Sequence, residues 1–106
     1  MAMFEDKEKA FEAKYAHDQA KKFKIMARRN KLLGLWAAEL MGLSGAAAEN
    51  YAKEVVASDF DEPGDADVLR KVHGDLAAKK LDVSEHRVRD RMAELLEVAQ
   101  KQVEAE

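Results

Sequence analysis

The sequence predicts an all-α fold: a small four-helix bundle with a flexible, helix-capable N-terminal arm. Three observations carry that prediction. The 106 residues include one proline and five glycines, so little interrupts a helix. The β-favouring residues are scarce, with one isoleucine, no threonine and seven aromatics among abundant Ala, Leu, Lys and Glu. Apolar residues recur at spacings of three and four through most of the chain. This length suits one domain, and a chain of this size buries roughly 65% of its unfolded surface, enough for a core without staples.

The first bundle helix is expected from Phe23 onward. Phe23, Met26, Leu33, Trp36, Ala37 and Leu40 form its stripe, and Leu32, Leu35 and Met41 widen it. Trp36 reads as its core anchor. Gly42 and Leu43-Ser44-Gly45 end the helix. Ser44 is a good N-cap for the second helix, whose apolar side is Ala48, Ala52, Val55, Val56 and Phe60. That helix stops in the acidic turn Asp59–Gly64, which holds the proline. Asp65 or Asp67 caps the third helix. There Leu69, Val72 and Leu76 face inward and Val68 flanks them. Leu81-Asp82-Val83-Ser84 breaks it. Ser84 caps the fourth helix, with Val83 and Val88 spaced as a hydrophobic staple. Val88, Met92, Leu95, Leu96, Ala99 and Val103 make the longest clean stripe. Short connections between four amphipathic helices give a bundle.

Residues 1–20 differ from this body, taken as 21–106. Beyond Met1, their large apolar residues are Met3, Phe4, Phe11 and Tyr15, and Ala16-His17-Asp18-Gln19 carries no stripe into the bundle. A short isolated helix is marginal in water, so the arm is expected to be disordered or frayed when free. Its spaced aromatics suit helix-in-groove binding to a partner.

The net charge of −3 conceals a division. Residues 1–31 carry nine Lys/Arg against five acids, a balance of +4 that leaves −7 for the remainder. Lys21, Lys22, Lys24, Arg28, Arg29 and Lys31 occur without an intervening acid and are candidates for an anion contact. Nucleic acid is not the expected partner, because the acidic body would repel a duplex.

The absence of cysteine excludes disulfide scaffolds, cysteine-ligated zinc, Fe–S clusters and thiol catalysis. No apolar run approaches the ~18–20 residues that span a bilayer, and the acidic start is unlike a signal peptide, so direct membrane insertion is not expected. The glycines fit neither phosphate-binding fingerprint, and His17, His73 and His86 have no histidine partner at helical spacing. Ser44, Ser58 and Ser84 sit at helix boundaries, where capping explains them better than nucleophilic catalysis. Asp59, Asp61, Gly64, Asp65 and Asp67 imitate a calcium loop, but Arg70 stands where the bidentate carboxylate belongs. The reading is a non-enzyme without metal or cofactor.

Lys9-Ala10-Phe11-Glu12-Ala13-Lys14-Tyr15-Ala16-His17-Asp18 and Ala27-Arg28-Arg29-Asn30-Lys31-Leu32-Leu33-Gly34-Leu35-Trp36-Ala37-Ala38-Glu39 resemble the zeta subunit of alphaproteobacterial F-type ATP synthases. Tyr51–Val56, Gly64–Val72 and Asp82-Val83-Ser84 are similar to it as well, and the likeness covers nearly the whole chain. The resemblance implies a natural inhibitor of ATP hydrolysis. Its N-terminal arm would insert as a helix at a catalytic α/β interface of the soluble head, near the γ stalk, and block rotation in the hydrolysis direction. The matching positions are Lys9–Asp18, with Phe4, Glu5 and Glu8 upstream. Phe4, Phe11 and Tyr15 would be apolar anchors; Lys9, Glu12, Lys14, His17 and Asp18 would be polar contacts. Tyr15 stands where many relatives are expected to carry Phe, and Lys21-Lys22 is more basic than the usual pattern. The implied location is the cytoplasm, at the inner membrane through the synthase.

The residues alone leave two other readings open. One is a helical adaptor whose basic stretch docks an acidic partner. The other is a bundle in which a nucleotide, weakly bound near Lys21–Lys31, modulates the arm.

Overall fold

The computed structural model describes the backbone of residues 2–59 and 65–106, and the side chains of 18–59 and 65–106. Four helices follow in order: α1 (Ala2–Leu40), α2 (Gly45–Ala57), α3 (Ala66–Ala78) and α4 (Glu85–Ala105). The described residues are all-α. The second half of α1 is the central support, with α2 and α4 packed along it and α3 closing the bundle.

The inner stripes meet in one core. Leu33, Ala37 and Ala38 of α1 join Tyr51 and Val55 of α2; Val68, Leu69, Val72 and Leu76 of α3; and Val88, Met92 and Leu95 of α4. The long stripe of α4 is buried except at Leu96, which is half-buried. Val68, expected only to flank its stripe, is fully buried. Trp36 is half-buried rather than a central anchor, and the Arg91 guanidinium lies 5.9 Å from its ring centroid. Phe23 and Leu40 depart from the expected stripe, since they are 77% and 42% exposed. Phe60 lies outside the described residues.

The helix ends show which capping residues act as caps. Ser84 does, accepting a hydrogen bond from the Arg87 backbone N–H at 3.1 Å. Ser44 and Asp65 occupy N-cap positions but make no side-chain cap bond. The carboxylate of Asp65 is engaged instead by the Arg29 guanidinium. At the end of α1, Gly42 adopts φ +79. Its N–H reaches the Glu39 carbonyl at 3.1 Å while the Leu43 N–H reaches that of Ala38 at 2.8 Å, which is a Schellman stop.

The end of α3 uses the same stop with the wrong residue for it. Lys80 N–H reaches Ala77 at 2.9 Å and Leu81 N–H reaches Leu76 at 3.1 Å, which requires Lys80 to sit at φ +60. A side chain in this region costs ~1–2 kcal/mol, and glycine relieves it while adding ~0.4–1 kcal/mol of unfolded-chain entropy. Lys80→Gly is therefore expected to stabilise the protein by about 0.5–1 kcal/mol. Urea denaturation checks this, and a lowered midpoint would refute it.

Candidate functional site

The two groups of site residues found in the sequence both lie on α1. Phe4, Glu5, Glu8, Lys9, Phe11, Glu12, Lys14, Tyr15 and His17 have side chains outside the described set. Asp18, the last residue of the arm motif, is exposed.

The basic stretch is described in full, and its cations divide among different tasks. Lys21, Lys24 and Arg28 recur at intervals of three and four, so they share a side of α1, and that side faces the end of α4. Lys21 Nζ is 3.8 Å from Glu104. Lys24 and Arg28 both pair with the Glu106 carboxylate, and Arg28 also donates to Gln102 Oε1 at 3.0 Å. Hydrogen bonds from Lys24 and then Arg28 hold the Glu106 carboxyl below the usual carboxylate range. These groups are solvent-exposed in good part, so each pair contributes little to stability alone and is screened by salt.

Arg29 behaves differently. It is 1% exposed, as is Asn30 beside it. Its Nε donates to Asn30 Oδ1 at 2.8 Å, and its guanidinium reaches Asp65 Oδ1 at 2.7 Å. Asn30 Nδ2 in turn donates to Asp59 Oδ2 at 3.1 Å. A buried cation and a buried amide of α1 thus hold both described ends of the α2–α3 connection. Asp59 and Asp65, which read as a failed calcium loop, are partners of these side chains. Lys22 and Lys31 are exposed. The six cations therefore do not converge on one anion-binding surface.

Spacing contained a signal for this arrangement. Arg29 lies one helical turn before Leu33, and Asn30 two turns before Ala37, so both fall on the inner side. Tyr51 was also missed as a core residue. Its hydroxyl donates to Asp75 Oδ2 at 2.8 Å, and Lys71 Nζ stands 2.9 Å from the same oxygen. Burial, then the hydrogen bond to Asp75, push the Tyr51 phenol well above its ordinary pKa. Tyr51 thus joins α2 to α3 as a neutral donor.

Among the described residues, no group of three or more His, Cys, Asp or Glu side chains is placed to hold a metal. Among them also, no helix is long and apolar enough to cross a membrane.

A structure solved by solution NMR is similar to this chain at 50% identity and a TM-score of 0.72, covering 79% of this chain and 95% of that one. No curated protein matches the chain. A family model described as ATPase inhibitor subunit zeta matches residues 1–102, which takes in the arm, the basic stretch and all but the end of α4. The chain belongs to the ATPase inhibitor subunit zeta family, and is a regulatory protein of an ATP synthase rather than an enzyme.

Proposed function

We propose that residues 1–20 are the inhibitory element, and that they insert as a helix at a catalytic α/β interface of the synthase's soluble head. There they approach the γ stalk and block rotation in the hydrolysis direction. The observation that carries this reading is the family match, which begins at residue 1 and so includes the arm. Phe4, Phe11 and Tyr15 would seat as apolar anchors, with Lys9, Glu12, Lys14, His17 and Asp18 as polar contacts around them. The protein would act in the cytoplasm, at the inner membrane through the synthase.

The architecture supports such a role. α1 runs without a break from Ala2 to Leu40. Among the described residues, the ion pairs that tie α1 to the bundle run from Lys21 to Arg29. The arm is therefore the extension of a stem that is already helical. Starting a free helix is unfavourable by a factor of about 10⁻³, or roughly 4 kcal/mol; lengthening an existing one avoids that step. Residues 5–31 contain neither glycine nor proline, so propagation meets no local breaker. Ordering a segment on binding costs ~2–5 kcal/mol or more, and a helical stem lowers the part due to nucleation.

The test is a titration of ATP hydrolysis by an inhibitor-free soluble head. The full chain is expected to inhibit, and a chain lacking residues 1–20 is expected to lose inhibition while keeping its helical circular dichroism. Retained inhibition by the folded, armless chain would refute the assignment and favour docking through the bundle.

A further inference from the structure

Phe23 is the most exposed large apolar side chain among the described residues, at 77%. Its position is unusual in a second way. It precedes Asn30 by seven residues and Gly34 by eleven, which are about two and three helical turns, so it shares their side of α1. That side faces α2: Gly34 abuts Ala52 and Val55, and Asn30 bonds Asp59. α2 ends at Ala57, and Asp59 meets α1 at the level of Asn30. Phe23 lies about 10 Å further along α1 by helical rise. The apolar stripe of α1 thus continues past the end of the helix that covers it. On the other flank the end of α4 covers α1 through Lys21 and Lys24. Lys22, beside Phe23, is exposed.

We infer that Phe23, with Lys22 beside it, is a second anchor for the ATPase head, at the mouth of the cleft that receives the arm. This inference rests on the arm reading above. The occupant follows from helix continuity. Phe23 is eight residues beyond Tyr15 on one unbroken helix, about 12 Å along its axis. An arm seated as far as Tyr15 and Asp18 carries Phe23 to the mouth of the same cleft, about a quarter turn around the helix from Tyr15, where the ring would meet the flank of the cleft. Burying a phenyl ring there removes on the order of 150–250 Å² from water. Lys22 fixes the chemistry of the facing surface: an apolar depression with a carboxylate at its edge.

The experiment uses the inhibitor-free soluble head titrated with the full chain, Phe23→Ala, Phe23→Leu, Lys22→Glu and the chain lacking residues 1–20. Phe23→Ala is expected to raise the half-inhibitory concentration at least tenfold, with Phe23→Leu recovering part of the loss. Lys22→Glu is expected to weaken inhibition further at low salt than at high salt. The thermal midpoint of Phe23→Ala should match that of the parent, since the ring is exposed. If Phe23→Ala inhibits normally while the armless chain does not, the inference falls and the arm reading stands. If the armless chain inhibits as well as the full chain, both fall. A Phe23→Ala protein with a lowered melting temperature would place the ring against its own chain and overturn the inference. So would sedimentation showing a dimer of the parent that Phe23→Ala dissociates, because a second copy would then be the occupant.

Discussion

Asp65→Ala is expected to destabilise the protein by about 3 kcal/mol, although Asp65 is itself half exposed. The reason lies in its partner. Arg29 is 1% exposed, and its guanidinium has Asp65 as its counterion at 2.7 Å. Among the described residues, truncating Asp65 leaves a buried guanidinium with only the Asn30 amide oxygen as acceptor. Breaking a buried pair by removing one member costs ~3–5 kcal/mol, and the exposure of the Asp65 side places this case at the lower end. Loss of a helix cap does not account for that figure: Asp65 makes no side-chain cap bond, and a carboxylate near a helix N-terminus contributes only ~0.3–1 kcal/mol. A loss of about 3 kcal/mol lowers the melting temperature of a domain this size by on the order of 15 °C. Asp65→Asn should fall between parent and alanine, since its amide oxygen still accepts from Arg29. Arg29→Met with Asp65→Ala should recover much of the loss, because a buried pair replaced by an apolar group of similar volume is often neutral. Urea denaturation of the three variants decides it. A change below about 0.5 kcal/mol for Asp65→Ala would mean that a group other than Asp65 satisfies Arg29.

Periodicity along a helix reports which residues face inward, but not what a neighbouring element places against them. The α4 stripe was legible because Val88, Met92, Leu95, Ala99 and Val103 repeat cleanly and polar residues fill the gaps. The basic stretch was legible as charge but not as geometry. Counting cations assigns Lys21–Lys31 to one surface, whereas 100° per residue distributes them around the helix. Arg29 turns inward, Lys21, Lys24 and Arg28 turn toward α4, and Lys22 and Lys31 are exposed. Phe23 failed for the opposite reason. Its spacing fits the stripe, but periodicity along one helix does not report where the neighbouring helix ends. Asp65 was read as a cap because capping is local and its true partner, Arg29, is 36 residues away. The arm's individual contacts were never a property of this chain alone, since they depend on the surface that receives it.

Gly34→Val is expected to cost about 3 kcal/mol, and the origin of that cost is a close approach invisible in the composition. Gly34 is buried where α1 crosses α2. A Cβ at this position would stand 2.7 Å from the Ala52 Cα, 3.2 Å from Val55 Cγ2 and 3.3 Å from the Ala52 Cβ. The nearest of these is backbone, which no rotamer change can move aside. The helices must separate, and that separation opens the packing of Leu33, Ala37 and Val55 together. Overpacking typically costs ~1–3 kcal/mol, and valine carries two further methyl groups into the same gap, which places it at the upper end. Gly34→Ala separates two opposing effects. It gains ~1 kcal/mol of helix propensity and still meets the Ala52 Cα, so a net loss of about 1 kcal/mol is expected. Adding Ala52→Gly should not restore Gly34→Val, because it removes the Ala52 Cβ and leaves the Cα in place. Chemical denaturation of the two single variants and the pair tests the geometry directly. Full rescue by Ala52→Gly would show that the obstruction is a side chain and that α1 and α2 lie further apart at Gly34 than the 2.7 Å approach requires.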